Sequence, residues 1–308
     1  MLPEKNKDIK VLILIADGTE EMEFTISYDL LVRAGLILSA GWSTRKRTFI
    51  QPTPDKSDLR LSTMLPEKNK DIKVLILIAD GTEEMELYVL VLPFTLLTLI
   101  ASELTTHFSF LHSTISYDLL VRAGFIVTSA YVIANGRGEI TTKNTAVATC
   151  SRGLRIIADM YFAEGGEGFG PDNYDVLIIP GGAKGAETIS NDHSVQKLVK
   201  QYYEKDKWVG MICAGALTAK SSGLPNQPIT SHPSVQSELE SEFKYSDDSV
   251  VISGKLVTTR GPGSTFPFIL TLIELILGPE KRNELEPPLM FPLGTPSIDR
   301  YIKSSTNN

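Results

Sequence analysis

The stretch 210-GMICAGALTAK-220 places Cys213, one of only two cysteines in the chain, at the end of an apolar run and directly before the tiny residues Ala214, Gly215 and Ala216. A thiol on a sharp turn from a strand into a helix projects into a cleft, and small neighbours let the backbone make that turn. The helix N-terminus behind it carries partial positive charge, which favours the reactive thiolate. Backbone N–H groups of Gly182, in the pair Gly181–Gly182 that follows IIP, and of Ala214 could then meet an oxyanion. A small buried thiol filling a tight strand–helix junction suits the same residues, and the local sequence leaves both readings open. The acidic loop DGTEEME ends in Glu86, and a carboxyl close to a thiolate can share a proton with it and serve as acid and base. Taken alone, that loop also reads as a set of solvated acids. His232, beside Pro233, is either a proton carrier or a loop residue. PGGAKG and RGPGS lack both the Walker spacing and the dinucleotide fingerprint. His193 stands alone and no Cys/His cluster has ligand-like spacing, so neither a metal nor a cofactor is expected.

The elements needed to position these groups are visible as a strand–helix alternation. KVLILIA is a short, continuous, branched apolar run followed by DGTEE, the pattern of a strand buried on both faces and then a loop. ISYDLLVRAG has helical apolar spacing and ends in Gly124, a C-terminal cap. FIVTSAYVI reads as a strand, ATCSRGLRIIAD supplies another short one, and YDVLIIPGG repeats the strand-then-glycine pattern. HSVQKLVKQYYEKD is an amphipathic helix before the strand KWVGMI. SVVISGKLVTTRG reads as two strands around Ser253 and Gly254, and STFPFILTLIELILG as a helix capped by Gly278. Such alternation predicts an α/β fold, a mostly parallel sheet covered by helices on both faces. In such sheets sites form at the carboxyl ends of strands, which here are IIPGG and MICAG.

Length and composition bound the rest. A chain of 308 residues with 42% hydrophobic content supports a substantial core. A formal charge of −7 with interspersed signs lacks the basic stripe that nucleic acid requires. Two cysteines make no disulfide framework, and MLPEKNKDIK lacks a signal-type apolar core, so a reducing, cytoplasmic setting is expected. Residues 1–23 recur letter for letter at 64–86. The first copy runs on directly into FTISYDLLVRAG, whereas the second reaches TISYDLLVRAG only after an apolar intruder at 87–113. Its apolar run, Leu87 to Ala101, contains Pro93, ends near Glu103 and falls short of the roughly 20 apolar residues a membrane-spanning helix needs. Its edges can be encoded with a splice-donor-like GTATGT and an acceptor-like CAG, and excision restores the Phe codon of the uninterrupted copy, as a retained intron would. The expected organisation is a partial duplicate of the first βα unit at 1–35, a polar linker at 36–63, one domain at 64–292 and a loose tail at 293–308. Of the two copies, the split one is expected to fill the sheet.

ADGTEEME, IIPGGAKGAETIS, MICAGALTAKSSGLPN, ITSHPSV and TRGPGSTFPF, in this order, resemble the DJ-1/PfpI superfamily. The likeness is greatest to the branch holding the Parkinsonism-associated deglycase and the glutathione-independent glyoxalases. It covers about residues 71–292 apart from the intruder. It implies a flavodoxin-like three-layer α/β/α sandwich of the class I glutamine amidotransferase type, with a cysteine nucleophile elbow. The family's nucleophile falls on Cys213, its glutamate on Glu86 with Glu23 as the duplicate, and its histidine on His232. Its arginine falls on Arg152, and the aspartate that supports the histidine across the dimer on Asp118 or Asp29. Cys150 aligns with a secondary cysteine, but the other such position reads Ile157, which weakens a multi-cysteine redox role. The implied activity is that of a glyoxalase III, or D-lactate dehydratase. It turns the small α-oxoaldehyde methylglyoxal into D-lactate through a cysteine hemithioacetal, and protein deglycation would use the same thiol. The resemblance implies a homodimer in cytoplasm and nucleus. The alternatives are a redox-sensing chaperone of the oxidative stress response, working through a Cys213 sulfinate, and a cysteine peptidase or amidase. Ala214 stands where the peptidase branch has its histidine, which argues against the latter.

Overall fold

The run KVLILI occurs twice, and in the computed structural model its two copies have different partners. The structure describes residues 10–15, 37–42, 72–83, 115–134, 146–152, 155–292, 295 and 302–304. As β1 (Lys10–Ile15) the run pairs in parallel with β2 (Ile37–Trp42) in a two-stranded sheet. As β3 (Lys73–Ile78) it pairs in parallel with β4 (Ile126–Tyr131) inside an eight-stranded sheet. The registers match: Lys10 faces Ile37 as Lys73 faces Ile126. The split copy therefore occupies the large sheet. β2 falls in the stretch read above as a polar linker. The polar runs behind that reading begin only after Trp42, and the apolar ILSAGW before them can pair.

Val74, Leu75, Ile76, Leu77 and Ile78 of β3 are all fully buried. Removing each such side chain from water contributes about 1.5–3 kcal/mol, which suits a strand covered on both faces. The chain continues through β5 (Val147–Thr149) and β6 (Arg155–Ile157), β7 (Met160–Tyr161), β8 (Val176–Ile179), β9 (Trp208–Ile212), β10 (Pro228–Ile229) and β11 (Lys244–Tyr245). It ends in β12 (Val250–Ser253), β13 (Leu256–Thr259) and β14 (Ile302–Ser304). The large sheet has the order β14-β12-β13-β9-β8-β3-β4-β7. Every neighbouring pair is parallel except β12 with β13, which form an antiparallel hairpin closed by Gly254 and Lys255. β14 lies in the 293–308 stretch expected to be loose: an edge strand presents unpaired N–H and C=O groups, and Ile302–Ser304 takes them up along β12. The expected single strand in ATCSRGLRIIAD is instead the antiparallel hairpin of β5 and β6, outside the large sheet.

Helices make the parallel crossovers. Ile115–Arg122 leads into β4 and ends in a Schellman motif, with Gly124 N–H on Val121 O and Phe125 N–H on Leu120 O, at 2.9 and 3.0 Å. Gly124 has φ 92°, which explains the glycine. His193–Glu204 is capped by Asp192, whose carboxylate accepts from Ser194 and Val195 N–H at 2.8 and 3.0 Å. Its Val195, Leu198, Val199 and Tyr202 form the buried stripe expected of a helix with one face on the core. Helix Thr265–Leu277 is buried along most of its length, and Phe268 sits where a β-carbon on Gly210 of β9 would come within 2.7 Å of its ring.

Candidate active site

The chain leaves β3 for β4 and β7 on one side and returns as β8 on the other, so the strand order switches between β3 and β8. The loops at their carboxyl ends form a crevice there, the expected ligand position in an open α/β sheet. They pack too closely for side chains. A β-carbon on Gly182, whose φ is 85°, would lie 2.2 Å from Gly81 O and 2.6 Å from Glu83 N. One on Gly215 would lie 2.5 Å from Pro180 O. The small residues after Cys213 thus let β9's outgoing turn press against the end of β8.

Cys213 itself sits on that turn with φ 58°, a left-handed conformation that a residue with a β-carbon adopts only when its surroundings impose it. It is 9% exposed and lines a cavity of about 970 Å³ together with Gly182, Ala214, His232 and Arg152. His232 N–H donates to Cys213 O at 3.3 Å, fixing the histidine loop on the elbow. Its Nδ1 accepts from Ser234 N–H at 3.2 Å, an arrangement that assigns the ring proton of the neutral imidazole to Nε2. A β-carbon on Gly261 would stand 3.7 Å from His232 Cδ2 and 4.0 Å from Cys213 Sγ, so thiol and imidazole converge on the same glycine.

A second loop, 149–152, also lines the cavity. Gly81 N–H donates to Thr149 O at 2.8 Å, and Ser151 N–H to Thr82 O at 2.9 Å. Thr149 N–H donates to Asp80 Oδ1 at 3.0 Å, and Ser151 Oγ to Glu83 Oε2 at 3.2 Å. These bonds hold Cys150, Ser151 and Arg152 along the cavity. Behind Asp80, the Tyr131 phenol is pushed well above its usual range, first by burial and then by the charge of Asp80 and a hydrogen bond to it.

The structure thus gathers Cys213, His232, Gly182, Ala214 and Arg152. Gly181 lies beside them and accepts from Glu83 N–H at 3.2 Å through its carbonyl. Asp118 does not line the cavity; it sits on helix Ile115–Arg122, paired with Arg122 at 2.5 Å. Glu86, its duplicate Glu23, and Asp29 lie outside the described residues. Sequence reasoning passed over Glu83, a buried acid three residues before Glu86, and Asp80. The only hint of them was the acidic loop itself, because their partners Gly181, Ser151 and Thr149 are distant in sequence. Among the described residues, no group of three or more His, Cys, Asp or Glu side chains could hold a metal ion.

Residues 72–275 match the model of the DJ-1/PfpI family. The chain belongs to that family. Among the DJ-1/PfpI relatives it resembles is the glutathione-independent glyoxalase DJ-1 of Schizosaccharomyces pombe, 35% identical over 225 residues, which are 72% of this chain and all of that protein. Another is the glutathione-independent glyoxalase DJR-1.2 of Caenorhabditis elegans, 32% identical over 173 residues, 56% of this chain and 84% of that protein. The solved structure of Schizosaccharomyces pombe DJ-1 superposes with a TM-score of 0.57, covering 72% of this chain and all of the other. The DJ-1/PfpI architecture is thus the α/β/α arrangement expected from the sequence, with the cysteine elbow at the carboxyl end of β9.

Proposed function

We propose that this chain is a glutathione-independent glyoxalase that converts methylglyoxal and water to D-lactate. The observation that carries the reading is Cys213 held at a left-handed φ on the cavity wall, with His232 converging on the same point. The Cys213 thiolate adds to the aldehyde carbon, forming a C–S bond and an oxyanion that is protonated to the hemithioacetal. A base removes the proton from that carbon, and the resulting enediol is reprotonated on the neighbouring carbon, leaving a thioester. Water then cleaves the C–S bond, releasing lactate and the thiol. Glu86 is the proposed proton carrier, His232 Nε2–H the positioner of the substrate oxygen, and Arg152 the counter-charge to the enediolate. Gly182 and Ala214 supply backbone donors. The relatives named as glutathione-independent glyoxalases support the same reading.

The proposal extends to a cytoplasmic and nuclear homodimer, with Asp118 supporting the partner's side of the site. Helices Ile115–Arg122 and Thr265–Leu277 pack together, and each keeps an exposed apolar side chain, Val121 at 47% and Leu275 at 39%. Among the described residues, no helix is long and apolar enough to cross a membrane. The test is lactate formation from methylglyoxal without glutathione. Wild type is expected to be active, with Cys213→Ala and Glu86→Gln each losing at least about 100-fold in kcat. Undiminished lactate from Cys213→Ala would overturn the covalent route.

A further inference from the structure

Resting on the glyoxalase reading, we propose that Asp80 is a positioning residue that, through its bond to Thr149, holds Arg152 against the reaction cavity. Both backbone polar groups of Thr149 are fastened to the same short segment: the N–H to Asp80 Oδ1 at 3.0 Å and the carbonyl to Gly81 N–H at 2.8 Å. Three residues later comes Arg152, whose Nη1 donates to Ser151 O at 3.3 Å and which lines the same cavity as Cys213. Two further bonds, from Ser151 N–H and Ser151 Oγ, continue the lacing to Thr82 and Glu83. Of the groups on the 80–83 side, Thr82 O and Gly81 N–H are backbone and Glu83 is buried. The Asp80 carboxylate is the partly exposed side chain on that segment. The Tyr131 phenol, at the end of β4, hydrogen-bonds the same carboxylate, an acceptor that Asp80→Asn also keeps.

The role has a chemical reason. Methylglyoxal is neutral, but the enediolate and the lactate product carry negative charge, and a guanidinium on the cavity wall answers that charge only if its loop is held in place. Asp80 is itself an anion on the same wall, so its bare charge would repel what Arg152 attracts. The two effects therefore have opposite signs, and an experiment can tell them apart.

Cys213 is alkylated separately with iodoacetate and with iodoacetamide, and the Cys213 peptide is followed by mass spectrometry so that Cys150 does not contribute. Both reagents react by thiolate displacement of iodide, forming a C–S bond and releasing iodide ion, so the ratio of the two rates cancels thiolate fraction and general access. What remains is the pull of the site on an anion. Asp80→Ala is expected to lower the iodoacetate-to-iodoacetamide ratio about threefold to tenfold, as Arg152→Ala does. Asp80→Asn, which keeps an acceptor for Thr149 N–H and removes the charge, is expected not to lower it. Should Asp80→Ala fail to fold, Asp80→Glu displaces the acceptor while keeping the charge and carries the same expected fall. A ratio that rises in Asp80→Ala, or stays unchanged while Arg152→Ala lowers it, overturns the proposal. In parallel, Asp80→Ala is expected to lower kcat for methylglyoxal more than it raises KM. A wild type that makes no lactate would overturn the glyoxalase reading and leave the alkylation result standing. An active wild type with an unchanged ratio in Asp80→Ala would overturn the role of Asp80 alone.

Discussion

Cys213 holds φ at 58°, a conformation that costs a residue with a β-carbon about 1–3 kcal/mol and must be maintained by what surrounds it. The neighbour that matters most is Gly215. A methyl there would meet Pro180 O at 2.5 Å and Ile179 O at 2.7 Å, both backbone atoms that cannot move aside without shifting β8. Gly215→Ala is therefore expected to destabilise the fold by about 1–3 kcal/mol in urea titration. It should also slow Cys213 alkylation, because the elbow and the strand end must separate. A variant as stable and as reactive as wild type would show that the close approach is not what holds the turn. His232 is fixed by different means, its N–H on the elbow's own carbonyl and its Nδ1 on Ser234, so thiol and imidazole are carried by one bonded unit.

Elements deliver these residues through caps and end contacts. Asp192 caps helix His193–Glu204 with two backbone bonds. Asp192→Ala is expected to cost about 1 kcal/mol in chemical denaturation, and an unchanged midpoint would remove the cap from the account. At the opposite end of the sheet from the cavity, Asp175 joins the starts of β3 and β8, accepting from Lys207 Nζ at 2.6 Å and Lys73 N–H at 3.1 Å. Burial pushes its carboxyl up, but the Lys207 hydrogen bond, the Lys73 N–H and the charges of both lysines outweigh it and hold the pKa below the usual range. A carboxyl depressed in the folded state is protonated more readily in the unfolded one. Its stabilising contribution is thus complete above the unfolded pKa, about 3.9, and is lost as pH falls through the lower folded value. Asp175→Asn should flatten the acid limb of stability against pH while the two curves run parallel above about pH 5. A parallel offset at all pH values would contradict this.

For the molecule as a whole, what was legible in the sequence followed from short-range pattern. The apolar run of β3, the Gly124 cap, the Gly254 hairpin and the small residues around Cys213 each declare themselves within a few positions. What was not legible depends on distant pairs: Asp80 with Thr149, Glu83 with Gly181, and the bridging of β12 by Ile302–Ser304. Residue types alone do not say which loops meet at a switch point, and a three-residue strand on an open edge has no periodicity to read. β2 was hidden differently, by the charged residues that follow it. The repeated KVLILI strand gives the molecule an unusual isotopic signature. One copy is central in an eight-stranded sheet and the other belongs to a pair, yet both yield the same peptide mass after digestion. Deuterium uptake by that single peptide is expected to split into two envelopes of equal area, a slow one from residues 73–78 and a fast one from 10–15. A single envelope would mean that the two strands open alike. The chain thus carries its own internal reference for how much protection a strand gains from the sheet around it.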